Sequence, residues 1–205
     1  ECGKALYESI IDSVHIVSSS ATAEAVKLTE NIFRAVNISL SNELKMIFSE
    51  MGIDAWEVID AASTKPFGFM PFYPGPGVGG HCIPIDPFYL TYKAKEYGLP
   101  TRFIELAGEY NNLAIEHIIS KISFFLDQKI EKSISNSKIL LLGLAYKKNI
   151  DDMRESPSVH ILEKLLNLGG DVHYNDDFIK VFPKTREHLE LAGMKSIELS
   201  FDNSI

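Results

Sequence analysis

The feature that most restricts the fold of this chain is a strand, helix and strand pattern in its second half. Residues 138–146 read KILLLGLAY, a short apolar run typical of a buried strand. A helical pattern follows, opened by Ser-Pro and closed by Gly-Gly, and DVHYNDD at residues 171–177 reads as a second strand. Because a helix that joins two successive strands makes them parallel, the pattern predicts a βαβ unit. A further helix at 184–193 and a strand at 195–199 are expected to extend it.

The first half of the chain is predicted to be mainly helical. Residues 18–52 carry apolar side chains at steps of three or four, from Phe33 to Met51, which form one apolar stripe along a long helix. A second long helix is expected at 101–128, and at about 1.5 Å per residue it is long enough to link two domains.

Composition and charge exclude several classes of function. The 205 residues are 45% hydrophobic and 23% charged, which is typical of a soluble globular protein. The net charge of -8 argues against non-specific binding to nucleic acid or to an anionic membrane, and no apolar run approaches the roughly 20 residues that span a bilayer. Two cysteines cannot form a disulfide framework, so a reducing, cytoplasmic location is expected. The start of the chain has neither an initiator Met nor a signal-peptide pattern, so a fragment is expected.

The cysteine in the glycine- and proline-rich loop is the first candidate for chemistry. Residues 75–89 read GPGVGGHCIPIDPFY, and Asp86 with Pro87 is expected to open a helix just after Cys82. A helix N-terminus favours a thiolate, and glycines let a ligand approach the backbone closely. The same residues also suit a shaped loop in which the cysteine fills space and the aspartate caps the helix. A cysteine hydrolase is disfavoured, because His81 is adjacent in sequence and cannot easily turn back onto the thiol.

A second candidate site follows the first strand of the βαβ unit. GLAYKKNIDDMRESPS, at residues 143–158, lies between a strand and a helix N-terminus, where open α/β sheets bind anionic ligands. Lys147, Lys148 and Arg154 are available donors, although the stretch is not a G-x-G-x-x-G dinucleotide fingerprint. Asp176, at the end of the second strand, suits either a contact to a ribose hydroxyl or an ordinary strand-end acid.

Four blocks of sequence together carry a family resemblance. Lys27 and Asn31 lie four residues apart on one helix face, and without further context they indicate only a solvent-exposed side of that helix. The blocks are AEAVKLTENIFRAVNISLSNE, PGPGVGGHCIPIDP, TRFIELAGEYN and GLAYKKNIDDMRESPS. In this order they resemble the nucleotide-sugar 6-dehydrogenase family, which includes UDP-glucose and GDP-mannose dehydrogenases. The wording around the cysteine resembles the UDP-N-acetylhexosamine dehydrogenases.

The resemblance implies an NAD-dependent, four-electron oxidation of the C6 alcohol of a UDP-sugar to a uronic acid, for polysaccharide biosynthesis. Cys82 would hold the aldehyde as a thiohemiacetal and then as a thioester. Lys27 would stabilise the oxyanion with Asn31 beside it, and Asp86 would handle protons or the hydrolytic water.

The resemblance also implies the binding residues and the partners. Expected to bind the substrate are Gly75, Gly77, Gly79, Gly80, Tyr73 and Lys147. Arg154 would help to bind the NAD cofactor, and no metal is expected. The partners implied are a UDP-sugar and a second copy of the chain, paired through the central helical domain, with no nucleic acid and no membrane.

The fold implied is α/β overall, with an all-α central dimerisation domain and a long linking helix, followed by a partial Rossmann-like parallel α/β domain. We expect residues 1–20 to be the end of an N-terminal NAD-binding domain, 21–128 the central domain and 129–205 the UDP-sugar-binding domain. Ile85 departs from the family pattern, since many relatives have lysine there. Because most of the NAD-binding domain is missing, the isolated chain is expected to be inactive. The alternative is a non-catalytic module for dimerisation or sugar-nucleotide binding.

Overall fold

The computed structural model describes residues 2–199, in which helices occupy the first two thirds and a small α/β unit follows. The elements, in chain order, are α1 (Cys2–Glu8), α2 (Ser20–Glu50), α3 (Ala55–Ser63), α4 (Cys82–Glu96), α5 (Arg102–Phe125), β1 (Lys138–Leu142), α6 (Pro157–Asn167) and β2 (Asp171–Asn175). A π-helical segment, Leu126–Ile130, continues α5, and single 3-10 turns lie at Ile134–Asn136 and Leu189–Leu191.

The long helix α2 confirms the pattern read from residues 18–52. Its N-cap is Ser19, whose side chain accepts a hydrogen bond from the backbone N–H of Thr22. It ends where Gly52 takes a φ of +70°, a left-handed conformation that suits glycine. The second long helix is also confirmed, as α5 and its π-helical continuation.

The helix after the glycine-rich loop begins at Cys82, and the prediction that it begins at Asp86 is wrong. Prolines are tolerated in a first helical turn, where backbone N–H groups have no helical partner, so Pro84 fits the third position. Pro87 lies one turn further in and removes one further donor. Asp86 is therefore not an N-cap but stands four residues after Cys82 on the same helix face.

Three helices pack around one another before the α/β unit. The hydroxyl of Ser39 on α2 donates to the carbonyl of Ala107 on α5 over 2.8 Å, and both residues are buried. Tyr110 on α5 donates to the Glu43 carboxylate on α2 over 2.6 Å. Helix α4 contacts both of the long helices, so the loop that precedes it is enclosed from two sides.

The predicted βαβ unit is confirmed. Strands β1 and β2 pair in parallel, in a register that runs from Lys138 opposite Asp171 to Leu142 opposite Asn175. Helix α6 covers the sheet and contributes much of the main hydrophobic core. Fully buried in that core are Leu144, Val159, Leu162, Leu165, Tyr174, Phe182 and Leu191.

The helix expected at 184–193 and the strand expected at 195–199 are not formed. The first segment contains only the 3-10 turn, and the second makes a single antiparallel bridge, Val181 to Lys195. The chain turns back so that the backbone N–H of Gly193 donates to the carbonyl of Phe182 over 2.9 Å, and burial of Phe182 outweighs the local helical preference. Across residues 2–199, no helix combines the length and the apolar character that crossing a membrane requires.

Candidate active site

A buried hydrogen bond joins two of the residues expected to be catalytic. The side-chain amide of Asn31 on α2 donates to the Asp86 carboxylate on α4 over 2.7 Å. Arg34 Nη1 donates to the amide oxygen of Asn31 over 3.2 Å, which fixes the amide with its nitrogen towards Asp86. Asn31 is only 1% exposed, so this pair anchors one motif helix to the other.

Cys82 occupies the first position of α4 and is exposed. Its helix N-terminus presents backbone N–H groups that have no helical partner. Arg154 lies within electrostatic range: a hydrogen bond to Asp152 is the main cause that raises the pKa of Arg154, and the charge of Cys82 adds to it. The thiol lies one helical turn from Asp86 on the same helix.

Lys27 lies on the exposed end of α2, one turn before Asn31. Its ammonium is 3.8 Å from the carboxylate of Glu30, and its side chain is 58% exposed. Glu30 is also 3.8 Å from Arg34, so the three charges form one surface network. Within residues 2–199 the charged partner of Lys27 is Glu30, and the structure does not bring Lys27 into direct contact with Cys82.

The loop before Cys82 is held by side chains that the sequence did not identify as functional. Asn42 accepts a hydrogen bond from the backbone N–H of Gly75 over 2.8 Å. Asn111 accepts from the backbone N–H of Val78 and donates to its carbonyl over 3.2 Å, as a neighbouring strand would. These bonds cross about thirty residues of sequence, so no local pattern indicates them.

The last two glycines of the loop pack directly against the α/β unit. A Cβ at Gly79 would stand 2.6 Å from Tyr146 Cβ and 2.7 Å from the carbonyl oxygen of Glu155, where a side chain cannot fit. Gly80 has a φ of +86°, and its N–H donates to the carbonyl of Arg154 over 2.8 Å. The structure thus gives these glycines a packing role in addition to the predicted contact with sugar.

Two of the expected binding residues already have protein partners. The hydroxyl of Tyr73 donates to Asp60 over 2.7 Å, and this hydrogen bond raises the pKa of the phenol. Arg154 forms a two-pronged pair with Asp152, with Nη2 2.6 Å from Oδ2, and its side chain remains 65% exposed. Arg154 thus keeps one face free for an anion.

Lys147 lies at the carboxyl end of β1, where the sequence predicted a site for an anionic ligand. A pocket of about 250 Å³ opens there, lined by Lys147, Lys148, Asn149 and Asp176 among others. The Lys147 ammonium lies 5.6 Å from the ring of Tyr146 and is exposed, so it can reach a phosphate in this pocket.

Asp176 shapes the floor of this pocket. Its carboxylate accepts hydrogen bonds from the backbone N–H groups of Leu144, Phe178 and Ile179, each over 2.8 or 2.9 Å. Burial raises the pKa of Asp176, but these hydrogen bonds outweigh burial and the net pKa is lowered. The geometry favours a structural acid over a ligand for ribose.

Ile85, which departs from the family pattern, lines a cavity of about 170 Å³ beneath the start of α4. Ala107, Ile115 and Pro157 line the same cavity, and so do the polar residues Asn111 and Glu155, so the walls are part apolar and part polar. The cavity also separates α4 from α6, and Ile85 fills part of the gap.

Comparison with known proteins matches two family profiles. Residues 21–113 match the profile of the central domain of the UDP-glucose/GDP-mannose dehydrogenase family. Residues 140–204 match the profile of the UDP binding domain of the same family. These two ranges together cover most of the chain. They contain the candidate site residues Lys27, Asn31, Cys82, Asp86, Lys147 and Arg154.

Two curated relatives carry the names of dehydrogenases of N-acetylated sugars. An NDP-N-acetyl-D-galactosaminuronic acid dehydrogenase of Ralstonia nicotianae is 37% identical over 96% of this chain and 44% of its own length. A UDP-N-acetyl-D-mannosamine dehydrogenase of Methanocaldococcus jannaschii is 38% identical over 89% of this chain and 40% of its own. This chain therefore spans less than half the length of these relatives.

A solved structure shares the fold. The UDP-D-ManNAc dehydrogenase of Pyrococcus horikoshii superposes with a TM-score of 0.79 at 34% identity, over 86% of this chain and 41% of that one. The arrangement of α2, α4, α5 and the βαβ unit is thus one that a dehydrogenase of this kind uses.

Proposed function

Because this chain belongs to the UDP-glucose/GDP-mannose dehydrogenase family, we propose that it forms the central and UDP-binding parts of an enzyme that oxidises C6 of a UDP-N-acetylhexosamine. The observation that carries the proposal is the 2.7 Å hydrogen bond between Asn31 and Asp86, which holds the two motif helices together with Cys82 one turn away. The product would be a uronic acid for polysaccharide biosynthesis, made in the cytoplasm.

Each site residue has a chemical role in this proposal. The Cys82 thiolate adds to the C6 aldehyde and forms a thiohemiacetal, whose oxygen Lys27 stabilises as it becomes negative. After the second oxidation, water cleaves the resulting thioester, and the acid leaves while the thiol is regenerated. Asp86 accepts the proton of that water, and the buried amide of Asn31 keeps the carboxylate in place.

NAD+, when bound, would accept one hydride from C6 in each of the two oxidations. The residues present fit one edge of such a cofactor, because the Arg154 guanidinium is 65% exposed and lies within electrostatic range of the thiol. Residues 75–80, GPGVGG, match the letters G-x-G-x-x-G, but the first strand of residues 2–199 begins only at Lys138, so they do not form the strand, turn and helix of a dinucleotide fingerprint. We therefore propose that the rest of the cofactor site belongs to other parts of the enzyme. The isolated chain is therefore expected not to catalyse the oxidation.

We further propose that two copies pair through α2. Val26, Phe33, Leu40 and Ile47 follow one another at intervals of seven and are each 47% to 49% exposed. A repeat of seven places them along one helix face, as in helices that pair side by side. The uncovered apolar face supports a homodimer through the helical part of the chain.

Replacing Cys82 by serine in the complete enzyme tests the catalytic proposal. We expect uronic acid formation from a UDP-N-acetylhexosamine to fall by about 1,000-fold or more, because serine is a far weaker nucleophile for the aldehyde. The matched control is Cys2→Ser, since Cys2 is also exposed but lies on α1. Acid formation at the wild-type rate by the Cys82→Ser enzyme would refute the mechanism.

The alternative, a non-catalytic dimerisation or sugar-nucleotide-binding module, predicts a different thiol reactivity. Both cysteines are exposed, so access alone would make them label equally. In an enzyme, Cys82 is alkylated faster than Cys2 at neutral pH, and a UDP-sugar protects it. Equal labelling without protection would favour the module.

A further inference from the structure

A second cluster of reactive side chains lies in the α/β unit, and the proposed oxidation does not use it. His160 and Glu163 are three residues apart on α6, so both project from one face of the helix. His188 approaches them from the segment before the last 3-10 turn. One ligand atom from each of the three lies within 4.8 Å of the other two.

The imidazole of His188 has an unsatisfied nitrogen. Its Nδ1 is buried without a hydrogen-bond partner, although it lies only 3.3 Å from Glu163 Oε2. The two side chains are 14% and 24% exposed. A buried nitrogen left unpaired costs free energy, and a simple ion pair would have made a hydrogen bond here.

Two aromatic neighbours hold the His188 ring in place. The rings of His160 and His188 meet edge to face with centroids 5.4 Å apart. Phe182 packs against His188 from another direction, with centroids 6.4 Å apart. Phe182 is almost fully buried, so one side of the cluster is apolar and closed to water.

The geometry is that of ligands around a small cation. Two ligand atoms that each lie about 2.0–2.1 Å from a tetrahedral Zn²⁺ are roughly 3.3 Å apart, as are His188 Nδ1 and Glu163 Oε2. Two imidazoles and one carboxylate are a donor set that suits zinc and leaves a fourth position for water. The three ligand atoms lie within 4.8 Å of one another, so a bound ion would require the side chains to rotate to bring the widest spacing to the tetrahedral value.

We propose that His160, Glu163 and His188 form a binding site for a divalent transition-metal ion of the zinc class. The ion links α6 to the segment 182–191, which crosses the same face of the α/β unit without regular secondary structure over most of its length. Binding to the folded chain alone stabilises that chain, so Zn²⁺ raises the melting temperature and a chelator reverses the effect.

The test measures Zn²⁺ binding by titration calorimetry and Co²⁺ binding by visible absorption, in the 205-residue chain with Cys2→Ser and Cys82→Ser so that no thiol contributes. We expect one ion per chain and an absorption band typical of tetrahedral Co²⁺. His188→Ala and Glu163→Gln should each weaken binding by about 100-fold or more. The control is His173→Ala, because His173 pairs with Asp171 over 2.9 Å, outside the cluster, and should bind metal as the parent does.

Circular dichroism establishes that each variant is folded, and Glu163→Gln preserves side-chain size. The proposal is overturned if the parent binds no stoichiometric ion. It is equally overturned if His188→Ala and Glu163→Gln both bind with parental affinity, or if His173→Ala loses as much affinity as they do.

Discussion

Replacing Gly79 by alanine tests whether the loop before Cys82 depends on its contact with the α/β unit. The new Cβ would stand 2.6 Å from Tyr146 Cβ, 2.7 Å from the Glu155 carbonyl oxygen and 2.9 Å from Pro157 Cδ. Forcing an extra carbon into a packed site costs about 1–3 kcal/mol. If the loop withdraws, the 2.8 Å hydrogen bond from Gly80 to Arg154 is also lost, at about 1 kcal/mol. We therefore expect the free energy of unfolding to fall by about 2–4 kcal/mol.

Urea unfolding followed by circular dichroism measures this change, and a loss of that size lowers the midpoint by about 1–2 M. The matched control is Gly75→Ala in the same loop, where the nearest atom to the new Cβ is 3.9 Å away. That variant should be neutral, or more stable by up to about 1 kcal/mol because alanine restricts the unfolded chain. If Gly79→Ala unfolds at the same midpoint as Gly75→Ala, the packing argument is wrong.

Three further predictions follow from contacts described above. Asn31→Asp places a second carboxylate opposite Asp86, whose carboxylate Asn31 now bonds over 2.7 Å, so this variant should lose about 2 kcal/mol of stability at pH 7 and less as the pH falls. The control is Asn37→Asp, because the Asn37 side chain bonds only its own helix; it should lose under about 0.5 kcal/mol. Equal losses measured by urea unfolding would contradict the geometry. Asp176→Asn should cost about 2 kcal/mol at pH 7. Because the folded-state pKa of Asp176 is lowered from 3.8, its contribution is present above that unfolded value and is lost as the pH falls through the folded-state pKa, so the advantage of the wild type should shrink in acid. A difference that stays constant between pH 7 and pH 2 would exclude an ionised Asp176. Leu40→Lys should convert the proposed dimer to a monomer, as measured by light scattering. Leu168→Lys is the control, because Leu168 is equally exposed but lies outside α2, and it should leave the dimer intact. A dimer that persists in both variants would place the interface elsewhere.

The long helices and the βαβ unit could be predicted because their apolar residues recur with the period of the element they form. The start of α4 could not, because Asp86-Pro87 has the local chemistry of an N-cap, while the true start depends on Pro84 fitting a first turn. The segment 184–193 has helical residues, but burial of Phe182 folds it into a turn instead.

The sequence named candidate site residues but not the contacts that hold them. Cys82 and Asp86 could be named from the motif, but their common helix face follows only from the observed helix start. Asn42 and Asn111 were missed, because a side chain that bonds the backbone of a distant loop leaves no periodic signal. The hydrogen-bond partner of Asn31 could not be predicted either, because Asp86 lies 55 positions away in the sequence.

The bond from Gly80 to Arg154 has a mechanical consequence for the thiol. Only one residue separates Gly80 from Cys82, so a tilt of the α/β unit would pull on the first turn of α4 directly. A UDP group that settles against Lys147 would thereby shift the sulfur before any sugar atom touches it. On the proposed function, a ligand in the pocket lined by Lys147 would then change the position of the Cys82 sulfur, even when that ligand carries no hexose.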